Sequence, residues 1–260
     1  MEDQNKTKMP TTSAKTKIAI AAIKLMDFEI EHNLLQFHEA MHMAKRSQCD
    51  FLMLGEAALN GFSGLTWNYQ IDAGKHAISL DSHIIERIKK FCKEIEIGLG
   101  FGFYEKAHPF IYSSYLILDK SAKILENYRR ISTGWKESVA SDEFYKEGDK
   151  LSSIKLGSSK CTIALCGDLW TEDFVKNVAI HESDTILWPL YIDYTKNEWE
   201  NFAKDEYLNQ VKSIGKRTIL INSRGSSENS AKGGLIDISA SGEVIDEVEM
   251  DSSSLLVLEL

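Results

Sequence analysis

Short apolar runs alternate with amphipathic segments along most of this chain. Ile18–Ile23 and Phe51–Leu54 are almost entirely apolar, which is typical of strands buried on both faces. Between these runs, apolar residues recur at helical spacing after Asn33, a residue type that commonly caps helices. The pattern therefore predicts a strand, a capped helix and a second strand at the start of the fold.

The same alternation continues to the C-terminus. Helical spacing predicts helices at Ile84–Phe91, around Val175–Val178, and at Asn197–Ile214 followed by Gly215. Further apolar runs predict strands at Ile97–Phe103, Ile111–Leu118, Ile124–Tyr128, Thr162–Leu165, Thr185–Trp188, Thr218–Asn222, Leu235–Ile238, Val244–Val248 and Leu255–Leu258. Pro189 is expected to close the strand before it, because proline cannot donate to a sheet ladder. Strands alternate with helices throughout, so we expect an α/β protein with two packed mixed sheets and helices on both outer faces.

Domain organisation follows from composition. Residues 1–16 are polar with no apolar period, so we expect a disordered N-terminal tail. No Pro/Gly/Ser-rich linker interrupts residues 17–260, which are predicted to form a single domain. No apolar run approaches the roughly 20 residues needed to span a bilayer, so no membrane partner is expected.

Charge and cysteine content exclude several function classes. A net charge of −9 argues against nucleic-acid binding, which depends on clustered Lys and Arg. The four cysteines contain no Cys-x-x-Cys pair and no signal peptide is evident, which favours a cytoplasmic location. No histidines lie at metal-ligand spacing and no phosphate-binding Gly-rich loop occurs, so neither a metal nor a cofactor is expected.

Three predicted strands end abruptly in a reactive side chain: Glu56, Arg130 and Cys166. Because ligands bind at strand ends in open α/β sheets, these three side chains are candidates for one cleft. Glu56 is a candidate base for Cys166, whose pKa we expect the next helix to lower through its free N–H groups. Arg130 and the backbone N–H of Gly167 are candidates to hold an oxyanion.

Each candidate also has an ordinary structural interpretation. Most free cysteines are small buried hydrophobes, and a glutamate at a strand end is usually solvated or paired. Arg129 and Arg130 together also fit a basic pair on the surface. None of the three residues is specific by itself.

An ordered series of segments makes the functional interpretation more specific. The segments are Ile18–Ile23, Gly55–Phe62, Gly100–Glu105, Tyr128–Ile131, Leu165–Trp170, Trp188–Pro189 and Ile221–Ser223. From about Lys17 onward they resemble the nitrilase or carbon-nitrogen hydrolase superfamily. The resemblance implies a four-layer α-β-β-α sandwich, and hydrolysis of a nonpeptide C–N bond through a cysteine thioester. By match, Glu56 takes the position of the base and Cys166 that of the nucleophile.

The chain departs from this pattern at the third catalytic position. Where the family has Tyr-Arg-Lys, the chain has Tyr128-Arg129-Arg130. A planar guanidinium is not equivalent to a compact ammonium, although both are positive. Three outcomes stay open: Arg130 does the work of the lysine, Lys136 reaches in from the following loop, or turnover is lost.

Other candidates for the substrate pocket are less specific. The resemblance implies a second acidic residue before the cysteine, for which Glu143 or Asp142 is in the right region, although a solvated acidic loop fits equally well. The aromatic candidates for its walls, which also fit core or interface positions, are Trp135, Trp170, Trp188 and Tyr191. Asp168 fits a residue that fixes the loop rather than a catalyst.

The sequence thus predicts a hydrolase for a small amide or carbamoyl compound, with catalytic Glu56, Arg130 and Cys166. The main alternative is an impaired family member that binds or regulates through a small molecule. An acyltransferase on the same scaffold is a third interpretation, which no lipid or membrane feature favours. The resemblance also implies a homodimer packed through the helix predicted at Thr171–His181.

Overall fold

The computed structural model describes residues 15–260. The first fourteen residues, and with them most of the predicted N-terminal tail, lie outside the described residues. Thr16 is buried, and its carbonyl oxygen accepts a hydrogen bond from the backbone N–H of Leu260. The tail prediction is therefore wrong for Thr16, which is held against the other end of the chain.

Strands and helices alternate as the apolar pattern predicts. The strands in residues 15–260 are β1 (Lys17–Ala21), β2 (Lys24–Leu25), β3 (Phe51–Met53), β4 (Gly98–Ala107), β5 (Phe110–Leu118), β6 (Ile124–Arg129), β7 (Ser153–Leu156), β8 (Ser159–Ile163), β9 (Thr185–Leu190), β10 (Arg217–Asn222), β11 (Arg224–Gly225), β12 (Leu235–Ile238), β13 (Val244–Val248) and β14 (Leu255–Glu259). The α-helices are α1 (Ile30–Arg46), α2 (Tyr69–Ile71), α3 (His83–Ile95), α4 (Glu172–Ile180), α5 (Lys196–Glu198) and α6 (Lys204–Ile214). A π-helical turn at Asp72–His76 extends α2, another at Trp199–Ala203 joins α5 to α6, and Cys166–Trp170 form a 3₁₀ turn.

Twelve of these strands form two six-stranded sheets with the same plan. Their orders are β14-β1-β3-β4-β5-β6 and β13-β12-β10-β9-β8-β7. In each sheet three neighbouring central strands are parallel and the outer pairings are antiparallel. The prediction of two mixed sheets is confirmed.

Alternate side chains of the central strands enter different cores. In β1, Ile18 and Ile20 pack in a core shared with the second sheet, while Ala19 packs with α1 and α3. This arrangement explains why the early strands are apolar on both faces. The four-layer α-β-β-α sandwich is confirmed. Among residues 15–260, no helix combines the length and apolar character needed to cross a membrane.

Asn33 is not a helix cap. Helix α1 begins at Ile30, one turn earlier than expected, and Asn33 is fully buried within it. Its side chain accepts a hydrogen bond from the N–H of Met26 at 2.9 Å, and donates to the carbonyls of Met26 at 2.8 Å and Leu59 at 3.0 Å. Asn33 therefore ties α1 to the loop after β3.

Pro189 does not end its strand. Strand β9 continues to Leu190, and Pro189 lies opposite Ile221 in the ladder with β10. The backbone N–H and carbonyl of Leu187 point toward β8, and the carbonyl accepts a hydrogen bond from the N–H of Ala164, the residue after β8. The backbone of Pro189, two residues further, points to the same side. Because β8 has already ended at that level, the missing N–H of Pro189 costs no ladder bond.

Candidate active site

The ends of β3, β6 and β8 bring Glu56, Arg130 and Cys166 together. Nη1 of Arg130 donates to Oε1 of Glu56 at 2.8 Å, and both side chains are almost completely buried. The charges of Glu56 and Arg130 act in opposite directions on the pKa of Cys166. The structure thus places the three predicted residues in one cluster.

The backbone of Glu56 is held from the second sheet. Its N–H donates to the carbonyl of Leu190 at 3.2 Å, and its carbonyl accepts from the hydroxyl of Ser223 at 2.7 Å. In the side chain, Oε1 accepts a long hydrogen bond of 3.4 Å from Ser113 in addition to that from Arg130. Oε2 is buried and accepts no hydrogen bond from the described residues. Glu56 therefore has one occupied and one free carboxylate oxygen.

Arg130 is fixed at each nitrogen of its guanidinium. Besides the Nη1 contact to Glu56, Nε donates to the hydroxyl of Ser132 at 2.8 Å, and Nη2 donates to the carbonyl of Thr133 at 3.3 Å. Burial is the largest single effect and lowers the pKa of Arg130, but Glu56, Cys166 and Asp168 together raise it by more. The pKa lies above its usual range, so Arg130 is a permanent buried cation.

Asp168 fixes two loops, as the sequence predicts. Its Oδ1 accepts from the N–H groups of Ile131 at 3.0 Å and Ser132 at 2.7 Å. Its Oδ2 accepts from the hydroxyl of Tyr128 at 2.6 Å and the N–H of Leu165 at 2.8 Å. The prediction is confirmed, because Asp168 joins the segment around Arg130 to the turn that carries Cys166.

Cys166 has an unusual backbone conformation. Its φ of +49° lies in the left-handed region, which residues with a Cβ rarely adopt outside functional sites and turns. Its carbonyl accepts from Nε1 of Trp188 at 2.8 Å, and its thiol donates to the carbonyl of Tyr191 at 3.9 Å. Cys166 is partly exposed, whereas the other three cysteines are buried.

The thiol of Cys166 is neutral at physiological pH. Burial of the thiol raises its pKa to about 12, and the negative charge of Glu56 adds to this rise, while Arg130 opposes it. The expectation that the following helix lowers the pKa is therefore wrong. Cys166 is itself the first residue of a 3₁₀ turn of only five residues, and its desolvation beside a carboxylate outweighs the backbone N–H groups.

Lys136 does not reach the cluster. Its Nζ lies 2.7 Å from Oδ1 of Asp142 and 2.8 Å from Oε1 of Glu147, and donates to the carbonyl of Tyr145 at 3.1 Å. These three acceptors hold Lys136 on its own loop. The alternative in which Lys136 replaces the family lysine is wrong in this arrangement.

Two other predicted pocket residues lie away from the cluster's hydrogen bonds. Glu143 is exposed, and its only hydrogen bond among the described residues runs from its backbone N–H to the hydroxyl of Ser141. Asp142 is exposed and pairs with Lys136. Neither acidic residue contacts the base or the cation, so their assignment to the substrate pocket is not supported.

The aromatic candidates divide by position. Trp188 is fully buried and positions the backbone of Cys166. Tyr191 is partly buried, and its ring stacks on Phe62 with centroids 4.0 Å apart. Trp135 is buried in an aromatic cluster against which Phe62 packs, while Trp170 is 44% exposed on the surface. Tyr191 therefore fits a pocket wall best, and sequence reasoning missed its partner Phe62.

Gly167 is the remaining predicted site residue, and it packs directly against the cation. A Cβ at this position would lie 2.5 Å from Nη2 of Arg130 and 2.9 Å from the hydroxyl of Ser132. Only glycine leaves space for the guanidinium here. Ser132 and Ser113 were also missed, because single serines near a strand end carry no sequence signal for such contacts.

Residues 15–260 contain no group of three or more His, Cys, Asp or Glu side chains placed to hold a metal ion. The site is thus described by a carboxylate, a guanidinium, a thiol and the backbone around them.

Comparison with known proteins adds a family and related folds. The sequence model of the carbon-nitrogen hydrolase family matches residues 17–200. A glutamine-dependent NAD+ synthetase from Acinetobacter baumannii superposes with a TM-score of 0.78 at 16% identity, over 94% of this chain and 45% of the synthetase. This chain therefore spans less than half of that enzyme. A comparison by sequence with curated proteins finds no match.

Two structures of a Nesterenkonia AN1 amidase cover nearly their whole length. A cysteine-to-alanine variant of this nitrilase-superfamily amidase has a TM-score of 0.77 at 14% identity, over 98% of this chain and 93% of the amidase. A second variant, with the acetamide moiety of fluoroacetamide covalently added at the active-site cysteine, has a TM-score of 0.76 at 14% identity, over 96% and 92%. At these identities the likeness shows a common fold.

Proposed function

This chain belongs to the carbon-nitrogen hydrolase family, and from that premise we propose that it hydrolyses a nonpeptide C–N bond in a small amide or carbamoyl compound. The observation that carries the proposal is the buried 2.8 Å contact between Glu56 and Arg130 beside the partly exposed Cys166. A base and a cation in contact, with a nucleophile close enough for both charges to act on it, are the parts that acyl transfer needs.

In the proposed mechanism Glu56 acts as a proton shuttle. It takes the proton of Cys166 as the sulfur attacks the carbonyl carbon of the substrate, and returns it to the nitrogen as the C–N bond breaks. The amine leaves and the acyl group stays on sulfur as a thioester. Glu56 then takes a proton from water, whose oxygen attacks the thioester, and the proton returns to the sulfur as the acid leaves.

The neutral thiol fits this proton transfer. Because the pKa of Cys166 is raised to about 12, little thiolate is present before substrate arrives, and deprotonation accompanies attack. The free Oε2 of Glu56 has the capacity to accept that proton while Oε1 stays bound to Arg130.

The cation in this mechanism stabilises negative charge on the substrate oxygen. A guanidinium has five N–H donors, and three are used by Glu56, Ser132 and Thr133, which leaves two on Nη1 and Nη2. Nη2 lies beside Gly167, whose backbone N–H is the second proposed donor. The Nesterenkonia amidase with an acetamide moiety on its cysteine supports a small amide as the ligand class.

An ammonia-release assay tests the proposal directly. We expect the wild type to release ammonia from at least one member of a panel of small ω-amides and carbamoyl compounds. Cys166→Ala and Glu56→Gln should each lower that rate by about 10³-fold or more, because each removes a group that acts in the chemical step. Cys161→Ala, which changes a buried cysteine in β8, is the matched control and should stay within about threefold. Equal release by Cys166→Ala and wild type would refute the thioester mechanism.

A second candidate function is a catalytically impaired binding or regulatory protein. The observation that favours it is arginine at the position of the family lysine, since the two cations differ in shape and reach. In that case Arg130→Lys would create or raise ammonia release, and the wild type would bind panel compounds in calorimetry without consuming them.

The proposal extends to location and assembly. The four cysteines are free thiols, which supports a reducing, cytoplasmic environment. A homodimer through α4 is proposed because two large apolar side chains at its ends are exposed and free to pack against a second copy. Trp170, two residues before α4, is 44% exposed, and Ile180, its last residue, is 83% exposed.

A further inference from the structure

We propose that Ser132 is a positioning residue that orients the guanidinium of Arg130 toward both Glu56 and the space above Gly167. The inference rests on the proposed function. It makes Ser132 a residue that suits an arginine, and not a lysine, at position 130.

The hydroxyl of Ser132 occupies a defined place in the cluster. Ser132 is 95% buried, with an exposed fraction of 5%, and its hydroxyl accepts the Nε–H of Arg130 at 2.8 Å. Its backbone N–H donates to Oδ1 of Asp168 at 2.7 Å. Because Asp168 also binds the N–H of Leu165, the backbone of Ser132 is fixed relative to the turn that carries Cys166.

The Nε–H is the donor that sets the rotation of a guanidinium. The Nε, Nη1 and Nη2 atoms lie in one plane, so fixing Nε at Ser132 determines where the other two nitrogens point. With Nε held, Nη1 reaches Oε1 of Glu56 and Nη2 lies against Gly167. Loss of the serine hydroxyl would leave a buried N–H without its partner and release this orientation.

The packing around Gly167 leaves little tolerance for a rotated cation. A Cβ there would meet both Nη2 of Arg130 and the hydroxyl of Ser132 within 3 Å. The three residues therefore fit one another, and a lysine at position 130 would have no N–H to offer Ser132 where the arginine has Nε. We expect Arg130→Lys to weaken this site rather than to restore it.

The test is a double-mutant cycle between Ser132→Ala and Arg130→Lys. The main readout is the rate at which chloroacetamide alkylates Cys166, followed by mass spectrometry, and kcat/KM for ammonia release is the second. Ser132→Ala should slow both by about tenfold with Arg130 present, because one hydrogen bond to a charged group is lost. In the Arg130→Lys background it should change neither by more than about twofold, because lysine lacks the bonded N–H.

Conservative variants separate positioning from general damage to the fold. Ser132→Thr keeps the hydroxyl and should retain the wild-type rate within about threefold, whereas Ser132→Val, which has the shape of threonine, should behave as Ser132→Ala. Ser114→Ala is the matched control. Its hydroxyl donates at 2.8 Å to Glu105, the partner of the neighbouring Arg129, and its loss should leave the alkylation of Cys166 unchanged.

The outcomes distinguish this inference from the proposed function. The role of Ser132 would be overturned, even if ammonia release is found, by either of two results. One is an equal effect of Ser132→Ala in the wild-type and Arg130→Lys backgrounds, and the other is an equal alkylation rate of Cys166 in Ser132→Thr and Ser132→Val. If no compound in the panel is hydrolysed, the proposed function fails, while the alkylation cycle still decides whether Ser132 positions Arg130.

Discussion

Cys166 combines an unusual backbone conformation with a thiol that stays protonated. The residue adopts a left-handed φ of +49°, and burial beside Glu56 holds its thiol neutral by raising the pKa to about 12. A sequence pattern can place a cysteine at a strand end. It cannot show whether the surroundings raise or lower the pKa, because desolvation and helix N–H groups act in opposite directions.

The raised pKa makes a testable prediction. Modification of native Cys166 to a methyl disulfide by methyl methanethiosulfonate, a neutral reagent without an amide, should become about tenfold faster per pH unit from about pH 7 to pH 11, because only the thiolate reacts. In denatured protein the rate should level off near pH 9, since the pKa of a free cysteine is about 8.5. The native proton also contributes stability at neutral pH that is lost as the pH rises toward 12.

Quantitative mass spectrometry of the four cysteine-containing peptides over a pH series measures this difference. Cys49, Cys92 and Cys161 are internal controls, because they are buried and should react more slowly than Cys166 at every pH. A native rate for Cys166 that already levels off near pH 8 would contradict the neutral thiol.

The two adjacent arginines show the same dependence on surroundings. Arg129 forms two hydrogen bonds to the buried Glu105, at 2.8 and 2.7 Å, and its guanidinium lies over the ring of Tyr112. Arg130 turns to the other side and enters the active-site cluster. Successive residues at a strand end point to opposite faces, so the interpretation of both as a surface basic pair is wrong.

At the scale of elements, β4 is shaped to accommodate the loop that carries Glu56. Glycines recur at Gly98, Gly100 and Gly102 on one face of this strand. A Cβ on Gly98 would meet the ring of Phe51, and one on Gly102 would lie 2.4 Å from the N of Ala57 and 2.7 Å from Cα of Glu56. The bare face of β4 thus lets the chain after β3 pass close above the sheet.

Gly102→Ala should therefore displace Glu56. We expect a loss of about 2 kcal/mol in the free energy of unfolding and at least a tenfold loss in ammonia release, since the added methyl meets backbone atoms that cannot rotate away. Urea unfolding and the ammonia assay measure the two effects. Gly74→Ala is the matched control, because its Cβ would meet nothing within 4 Å, and it should change stability by less than about 0.5 kcal/mol. Wild-type behaviour of Gly102→Ala would contradict this account of β4.

At the scale of the whole molecule, the two ends of the described chain meet in one sheet. Strand β14 pairs antiparallel with β1, and Leu256 and Leu258 are buried in the same core as Ile18. Residues beyond the part that matches the family thus complete the sheet that carries Glu56.

The proposed homodimer is tested at this scale. If α4 packs against a second copy, Ile180→Glu should shift the molar mass in light scattering from dimer to monomer, because it buries a charge in an apolar contact. Ile245→Glu is the matched control, since Ile245 is also an exposed isoleucine, at 57%, and belongs to the edge strand β13 and not to α4. A monomeric wild type, or an unchanged mass for Ile180→Glu, would contradict this interface.

The sequence by itself determined the order of the elements and the three strand ends that carry Glu56, Arg130 and Cys166. These features are local, because an apolar run and the residue that breaks it lie next to each other in the chain. The same reasoning missed β7 (Ser153–Leu156), an edge strand in which polar and apolar residues alternate over only four positions. It also misplaced the start of α1, because Asn33 bonds to Leu59.

Only the tertiary structure decided what those side chains do. Ser132 as the partner of Nε, Lys136 held by its own loop and Glu143 in solvent depend on how one loop folds. The raised pKa of Cys166 depends on its burial and on Glu56, which is distant in sequence. Hydrogen-bond geometry and desolvation are set by what packs around a group in three dimensions. Spacing along the chain therefore identified the reactive residues, and packing fixed their orientation and charge.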